Sequence, residues 1–376
     1  MTTRLLGGLT PQQFLAEYWQ KKPLLIRQAI PGFTGVVGLD ELFELACDED
    51  VESRLIRHDP AAGWQVTRGP QKPSALRGRR QPWTVLVQGL NLWVREADEL
   101  LHRFDFIPQA RLDDLMVSYA TDGGGIGAHF DSYDVFLLQG FGKRRWRIGD
   151  QTEHRLVEGA PLKLIADFRP TEEWVLEPGD MLYLPPRYAH EGTALGECTT
   201  YSIGFRAPQA RELASGFLTW LAERVDLPGM YADPDLTLQE NSAEIGDAMV
   251  ERVARMLESI RWNRDDVADF LGHSLSEPKP TVFFVPPDDP LPAKRFAAAI
   301  ERHGFMLDPG TLLLWRGGRF YLNGEAFDPA GADTALLARL AHARRLPAGT
   351  APDEPTLARL YDLYRDGLGT PDFPDD

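Results

Sequence analysis

Residues 118–147 read SYATDGGGIGAHFDSYDVFLLQGFGKRRWR, a glycine-rich loop followed by two short segments with strand character. The loop leads into His129-Phe130-Asp131, a His-x-Asp pair. Side chains two positions apart on an extended segment point to the same face, so this imidazole and this carboxylate can converge on one metal ion. The segment therefore predicts a β scaffold that carries two ligands of a metal site.

The third ligand is expected in residues 177–190, EPGDMLYLPPRYAH, which end in His190. The spacing from Gly179 through Pro185 to His190 makes the His-x-Asp pair a more specific signal than it is alone. Two neutral histidines and one ionised carboxylate, with coordination positions left open, form the facial triad of non-haem Fe(II) oxygenases. The open positions suit a bidentate 2-oxo acid and dioxygen, so we predict Fe(II) with 2-oxoglutarate and dioxygen as co-substrates.

The region around these ligands contains short strand-like segments that are separated by Gly and Pro residues. Regular short strands with this punctuation favour a closed or sandwiched β structure, and we predict a double-stranded β-helix, or jelly roll. We expect the His-x-Asp pair at the end of one core strand and the distal histidine on a later one. The predicted strands, within residues 115–206, are LMVSYA, YDVFLLQG, KRRWRIG, KLIADF, EEWVLEPGDMLYLPP and TTYSIGFRA.

The residues before the jelly roll predict a mixture of helices and strands. Thr10 and Pro11 are typical of a helix N-terminus. Residues 68–82 hold five Arg or Lys and form a predicted basic loop, either solvated or in contact with substrate or nucleic acid. The other predicted elements are strands at 24–26, 53–57 and 83–94 and helices at 38–47 and 96–102.

The composition changes after Ala207. Residues 210–225 predict an amphipathic helix, and the apolar residues from Met249 to Ile260 recur at helical spacing. That second stripe is either internal core or a helix pair that joins two copies of the chain. Beyond it we predict a strand at PTVFFV, a helix closed by Gly304, a hairpin that turns at Gly317-Gly318, and two more helices.

These elements predict a mixed α/β (α+β) chain with three parts. The parts are a jelly-roll domain over residues 1–207, a helical dimerisation segment over 208–277 and a winged-helix-like domain over 278–376. The length of 376 residues fits two or three folding units.

Composition excludes several function classes. Cys47 and Cys198 are the two cysteines, which rules out a disulfide framework and a thiolate zinc site. The net charge of -16 argues against direct nucleic-acid binding, and it fits either a basic partner or plain solubility. Because the chain shows neither a signal-peptide pattern nor a long apolar run, we expect a cytoplasmic protein without membrane contact.

A 2-oxo diacid needs a cation for its distal carboxylate, and the segment Lys143-Arg144-Arg145-Trp146-Arg147 offers several. A guanidinium fork matches a carboxylate well. Alternation places Arg144 and Trp146 on one face of the strand, and Arg145 and Arg147 on the other. The pattern alone leaves open which face points inward, and an exposed basic edge is the alternative.

The chain resembles the bacterial ribosomal oxygenases of the JmjC class, which carry a cupin-like jelly roll. Within them it looks most like the arginine 3-hydroxylases of the large-subunit ribosomal protein L-sixteen. The resemblance covers about residues 10–210 and is carried by FLAEYWQKKPLLIR, VQGLNLWV, LDDLMVSYATDGGGIGAHFDSYDVFLLQGFGKRRWRIG, EPGDMLYLPPRYAHEG and YSIGFRAP.

The resemblance implies specific roles for residues of this chain. It implies Fe(II) held by His129, Asp131 and His190, and 2-oxoglutarate held by Arg144 with Ser118 beside it. Thr200 stands where close relatives carry Asn, and it keeps a hydrogen-bonding group for the co-substrate. The resemblance also implies a homodimer formed by the helical segment, a basic ribosomal protein as substrate, and a winged-helix end that does not necessarily bind DNA.

An arginine substrate needs an acidic partner near the metal. Asp122, on the loop before His129, and Asp134 are candidates, and Tyr133 could stack on the guanidinium. For Asp122 the alternative is a simple turn residue, because Asp-Gly is a favoured turn pair.

Three other functions remain open at this point. Two are an N-methyl demethylase and a histidyl hydroxylase of the same class, because these reactions share the metal chemistry. The third is a non-catalytic cupin and winged-helix protein that binds DNA.

Overall fold

The computed structural model describes residues 2–59, 61, 63–77, 81–151 and 155–373. The chain forms two compact units, one made of Met1–Ala207 with Pro280–Phe283 and the other of Pro208–Lys279 with Phe284–Asp376. The division into three domains, with a boundary at residue 277, stays a prediction.

The first unit is a β structure with a helical N-terminal cover. Its helices are α1 (Thr2–Leu5), α2 (Pro11–Glu17), α3 (Leu39–Cys47) and α4 (Arg95–Leu101). Its strands are β1 (Leu24–Ile26), β2 (Ser53–Asp59), β3 (Gly63–Arg68), β4 (Trp83–Val87), β5 (Leu112–Ala120), β6 (Asp134–Gln139), β7 (Lys143–Gly149), β8 (Glu172–Leu176), β9 (Met181–Leu184), β10 (Ala189–Leu195) and β11 (Cys198–Phe205).

Two antiparallel sheets form the predicted jelly roll. The large sheet has the order β1-β9-β6-β11-β5-β4-β2-β3, and the small sheet has the order β10-β7-β8. The inner faces of the sheets share a core that includes Val135, Leu137, Trp146 and Ile148. Strand alternation sends the other side chains of the large sheet outward, against the helices.

The outer face of the large sheet is covered by the N-terminal helices. Thr10 and Gln13 form a reciprocal capping box at the start of α2, as the Thr-Pro signal predicts. Phe14 on this helix is fully buried and lies against Phe136 and Tyr183 of the sheet. This contact covers the outer face of the sheet, so the inner face is the one that can line a functional site.

Three predicted strands of this unit are wrong in part or in whole. The strand predicted at EEWVLEPGDMLYLPP is two strands, β8 and β9, which belong to different sheets. The strand predicted at 83–94 ends at Val87, because Gly89 turns in the left-handed region and the side chain of Asn91 accepts a hydrogen bond from the Leu115 amide. KLIADF is not a strand, since its Ile165 amide donates to the Ala128 carbonyl of the loop before His129. Of the basic loop 68–82, residues 78–80 lie outside the described residues, and residues 73–76 form a short 3-10 helix.

The second unit combines helices with two small sheets. Its helices are α5 (Ala210–Ala222), α6 (Asp247–Glu258), α7 (Arg264–Ser276), α8 (Ala293–His303), α9 (Thr334–Ala343) and α10 (Glu354–Arg365). Its strands are β12 (Phe305–Leu307), β13 (Leu313–Arg316), β14 (Arg319–Leu322), β15 (Glu325–Phe327), β16 (Arg345–Leu346) and β17 (Gly369–Pro371).

The hairpin and helix-end predictions for this unit are confirmed. Gly304 ends α8 with a φ of 90°, and Gly317 and Gly318 turn the β13–β14 hairpin with positive φ. The strand predicted at PTVFFV is wrong, because residues 280–285 form no strand, and Phe283 and Val285 are exposed there.

Within the described part of the chain, no helix has the length and apolar character needed to cross a membrane.

Candidate metal centre

Three side chains meet at one end of the space between the two sheets. The ligand atoms of His129, Asp131 and His190 all lie within 4.8 Å of one another. His190 Nε2 is 3.6 Å from an Asp131 carboxylate oxygen, and the two imidazole centroids are 4.3 Å apart. The structure therefore brings the predicted trio together in a geometry that one metal ion can bridge.

Each histidine is oriented by a backbone carbonyl two residues before it. His129 Nδ1 lies 2.9 Å from the Gly127 carbonyl oxygen, and His190 Nδ1 lies 2.9 Å from that of Tyr188. In this arrangement Nδ1 carries the proton and donates it, which leaves the Nε2 lone pair for a metal. Burial and the neighbouring His129 lower the pKa of His190 to about 4, so His190 is neutral and able to ligate at pH 7.

Backbone pairing holds the two halves of the trio together. The amide of each histidine donates to the carbonyl of the other, at 3.0 Å from His129 and 2.8 Å from His190. The Arg187 amide donates to the Asp131 carbonyl at 2.6 Å, and Arg187 itself has a left-handed φ of 64°. A strained residue of this kind is common beside functional sites.

The loop before His129 needs its glycines for close packing. Gly127 has a φ of 88°, and a Cβ there would lie 2.8 Å from the Trp64 ring. A larger residue would push the loop away from β3, so the glycine-rich segment is what lets His129 reach its place.

Tyr133 is adjacent to the carboxylate ligand. Its hydroxyl lies near the Asp131 carboxylate. Desolvation, together with the carboxylates of Asp131, Asp114 and Asp113, raises the pKa of Tyr133 above its usual value, so the phenol stays protonated. Tyr133 thus lies beside a ligand of the trio, and stacking on a substrate guanidinium stays a prediction.

A cavity of about 230 Å³ extends from the trio into the space between the sheets. The register of the small sheet gives its direction, because His190 is opposite Ile148, Gly192 opposite Trp146, and Ala194 opposite Arg144. His190 and Ala194 are four residues apart, or about 13 Å along the strand. Arg144 therefore stands at the end of the cavity remote from the metal ligands.

Arg144 is the inward-facing cation that the alternation of β7 left undecided. It is 3 % exposed, and its Nε and Nη2 have no hydrogen-bond partner among the described residues. Arg147, on the opposite face, pairs with Glu191 on the neighbouring strand. A buried guanidinium with unused donors is costly unless a ligand supplies an anion, so these atoms fit a carboxylate.

Ser118 and Thr200 line the same cavity from the large sheet. They are paired across β5 and β11, and Gln139 is paired with Thr200 on the far side. Both are buried, and the Thr200 hydroxyl donates to Gln139 Oε1 at 3.2 Å. The structure places both residues where the predicted co-substrate contacts require them, and the contacts themselves stay predictions.

Two other predicted acidic residues lie elsewhere. Asp122 is exposed on a turn, and its carboxylate accepts a hydrogen bond from the Gly196 amide at 2.7 Å. Asp134 is fully buried and accepts hydrogen bonds from Tyr183 and Gln20. Neither residue lines the cavity. Asp134 joins the helical cover to the sheet, and a substrate contact by Asp122 stays a prediction.

Some cavity residues escaped the sequence analysis. Arg54 on β2 lines the cavity, and its Nη2 donates to Gln88 Oε1 at 3.1 Å. Ser202 and Met116, which pair across β11 and β5, line it too. A single Arg or Ser on a strand gives no sequence signal, whereas alternation had already placed Trp146 on the face of Arg144.

Comparison with known proteins gives consistent matches for both units. A JmjC domain family model matches residues 99–213, and a ROXA-like winged helix model matches residues 259–369. The Escherichia coli ribosomal protein uL16 3-hydroxylase is 34 % identical over 323 residues, which cover 84 % of this chain and 84 % of that protein. The probable ribosomal oxygenase of Haemophilus influenzae is 38 % identical, over 71 % of this chain and 65 % of that protein.

Solved structures of a relative match most of the chain. The structure of the Escherichia coli ribosomal oxygenase YcfD in complex with cobalt and 2-oxoglutarate is similar with a TM-score of 0.79 and 33 % identity. The match covers 96 % of this chain and 98 % of that one.

Asp131→Ala should weaken Co(II) binding by more than about 100-fold, because loss of an outer partner of a metal ligand alone costs up to that factor. Isothermal titration of the purified protein measures the effect. Asp167→Ala removes a carboxylate that is also partly exposed but lies outside the trio, and it should leave Co(II) affinity unchanged. Equal Co(II) affinity in the Asp131 variant and the wild type would contradict the metal site.

Proposed function

The chain belongs to the JmjC-class ribosomal oxygenases, and from this premise we infer that it is an Fe(II)- and 2-oxoglutarate-dependent hydroxylase of a ribosomal protein. The observation that carries the inference is the pairing of two features in one cavity. The trio of metal ligands lies at one end, and the unpartnered guanidinium of Arg144 lies at the other. A 2-oxo acid that chelates a metal at one end needs a cation for its distal carboxylate at the other end. The cavity offers both.

When Fe(II) is bound, it supplies, with 2-oxoglutarate and dioxygen, the oxidation that places one oxygen atom into a C–H bond and leaves succinate and carbon dioxide. The protein supplies orientation. His129, Asp131 and His190 would hold the metal, and Tyr133 lies beside the Asp131 carboxylate. The apolar walls of the cavity, including Ile56, exclude water from the reacting groups.

The co-substrate is proposed to lie along the cavity from the metal to Arg144. Its distal carboxylate would accept hydrogen bonds from Arg144, with Ser118 and Thr200 beside it. The unused Nε and Nη2 donors of Arg144 support this role, because they match the fork geometry of a carboxylate. Thr200 is shorter than an Asn at the same position, and Gln139 orients its hydroxyl.

For the substrate we propose an arginine of the large-subunit protein uL16, which is L-sixteen. The curated Escherichia coli relative is named as the 3-hydroxylase of that protein. The chain's net charge of -16 favours approach of a basic ribosomal protein. Near the metal, Asp113 and Asp114 lie close enough to Tyr133 to raise its pKa, so this end of the cavity suits a cation. A ribosomal substrate also supports a cytoplasmic location.

The test is a reaction of the purified protein with Fe(II), 2-oxoglutarate and recombinant uL16. Hydroxylation should add about 16 Da to one arginine and release one succinate for each modified peptide. Asp131→Ala serves as the inactive control. Modification of a histidine would redirect the assignment to histidyl hydroxylation, and formaldehyde release from a methylated peptide would favour demethylation. No oxidation of any ribosomal protein, together with salt-sensitive DNA binding, would favour the non-catalytic alternative.

Arg144→Ala should raise the 2-oxoglutarate concentration needed for half-maximal turnover by about 30-fold to 1000-fold, because a charge-assisted pair in a partly dry site contributes about 2–4 kcal/mol. Initial rates at varied co-substrate concentration measure the change. Arg145→Ala is the matched control, since the side chain of Arg145 starts on the face of β7 opposite to that of Arg144. If Arg145→Ala has the larger effect, the carboxylate is held by the other face.

We further propose that the chain is a homodimer joined through α6. The apolar side chains Met249, Val253 and Met256 follow helical spacing and are 47 %, 37 % and 39 % exposed, and no described residue of α6 is buried. Such a stripe on a soluble protein supports a partner surface. A second copy is the proposed occupant, because a two-fold pairing needs one self-complementary patch and the family resemblance implies a dimer.

Val253→Asp combined with Met256→Asp should convert the protein to a monomer, because each carboxylate would be buried unpaired in the interface. Light scattering after gel filtration should give 42.2 kDa for this variant and twice that mass for the wild type. Glu251→Lys, two residues from Val253 along α6, is the control and should stay dimeric. A wild-type mass of one chain would contradict the dimer.

A further inference from the structure

The indole of Trp146 carries a polar group that the proposed function has not used. Trp146 is 5 % exposed, and its Nε1 is buried without a hydrogen-bond partner among the described residues. Buried indole N–H groups normally find an acceptor. Because Trp146 also lines the cavity, the missing acceptor is expected from a molecule that occupies the cavity.

The position of Trp146 along the cavity is fixed by strand register. On the small sheet, Trp146 lies between the row of His190 and the row of Arg144. Its ring centroid is 5.8 Å from the His190 ring and 5.8 Å from the guanidinium carbon of Arg144. A ligand that extends from the metal to Arg144 must therefore pass the indole.

The indole is held in place by its neighbour on β10. A Cβ at Gly192 would lie 2.8 Å from two carbons of the Trp146 ring, so the ring rests directly on the glycine backbone. Side-chain rotation is restricted by this contact and by the packing of Trp146 in the core between the sheets. The N–H direction is thus set before any ligand arrives, which lowers the entropic cost of binding.

We propose that the Trp146 indole N–H donates a hydrogen bond to an oxygen of the 2-oxo acid bound between the metal and Arg144. This inference rests on the proposed function and adds a third contact to the two ends of the co-substrate. It makes Trp146 a co-substrate-binding residue and not only a core aromatic.

A neutral donor suits this middle position. An indole N–H provides a directed hydrogen bond without net charge, so it can hold an oxygen of the ligand while the guanidinium neutralises the distal carboxylate. The flat ring also forms one wall of the passage, opposite the large sheet. The co-substrate is therefore recognised along its length, and not only at its distal carboxylate.

Two measurements on the Zn(II)-loaded protein test the proposal, because Zn(II) has no redox chemistry and so prevents turnover. Indole 1H–15N spectra contain signals from nine tryptophans, and Trp146→Phe identifies the Trp146 signal by its loss. Addition of 2-oxoglutarate should shift this signal to the higher proton frequency of a hydrogen-bonded N–H. Calorimetry should show that Trp146→Phe weakens 2-oxoglutarate binding by about 10-fold to 100-fold, the range of one hydrogen bond to a charged group.

Trp174→Phe is the matched control. Trp174 lies opposite Trp146 on β8 and packs on the same core, but it does not line the cavity. This variant should bind 2-oxoglutarate like the wild type. If the wild type binds 2-oxoglutarate while the Trp146 signal stays in place, this inference is overturned and the proposed function stands. If the wild type does not bind 2-oxoglutarate, both are overturned.

Discussion

The reciprocal backbone hydrogen bonds between His129 and His190 are the constraint on which the site depends. They join a glycine-rich loop to the start of β10, although the two residues are far apart in sequence. Because each histidine is also tied by Nδ1 to a carbonyl two residues before it, both Nε2 atoms point to the same place. The same pairing sets the position of Asp131, since Asp131 is two residues after His129 and its backbone carbonyl accepts a hydrogen bond from the Arg187 amide.

Strand register carries this geometry into the rest of the cavity. Once β7 and β10 are paired at His190, alternation along β7 dictates that Trp146 and Arg144 point inward and that Arg145 and Arg147 point outward. The opposite wall follows from the pairing of β5, β11 and β6, which brings Ser118, Thr200 and Gln139 into one row. A slip of one residue in the small sheet would turn Arg144 away from the cavity, and a slip in the large sheet would turn Ser118 and Thr200 away from it.

The sequence predicted the parts of this design that depend on short-range pattern. The metal trio was found from two motifs, and the jelly roll from short punctuated strands. The inward face of β7 could not be predicted, because alternation divides the side chains between two faces and does not say which face is buried. The apolar segments KLIADF and PTVFFV were mistaken for strands, since tertiary contacts decide whether such a segment pairs, as the bond from the Ile165 amide to the Ala128 carbonyl shows. For Asp122 the sequence left a turn role and a substrate role open, and the bond from the Gly196 amide to its carboxylate fits the turn role.

The cavity is arranged as a gradient of charge. Its inner end holds a buried guanidinium with unused donors, and its metal end holds the Asp131 carboxylate, with Asp113 and Asp114 acting electrostatically on the neighbouring Tyr133. The cost of burying Arg144 is only partly offset by its position over the Trp146 ring at 5.8 Å, because a cation–π contact of that length contributes about 0.5–2 kcal/mol. Binding of an anion to Arg144 is therefore expected to increase the free energy of unfolding of the protein. The carboxylate end would suit a cation instead, so the proposed dianionic co-substrate and the proposed arginine of the substrate would occupy opposite ends of one cavity.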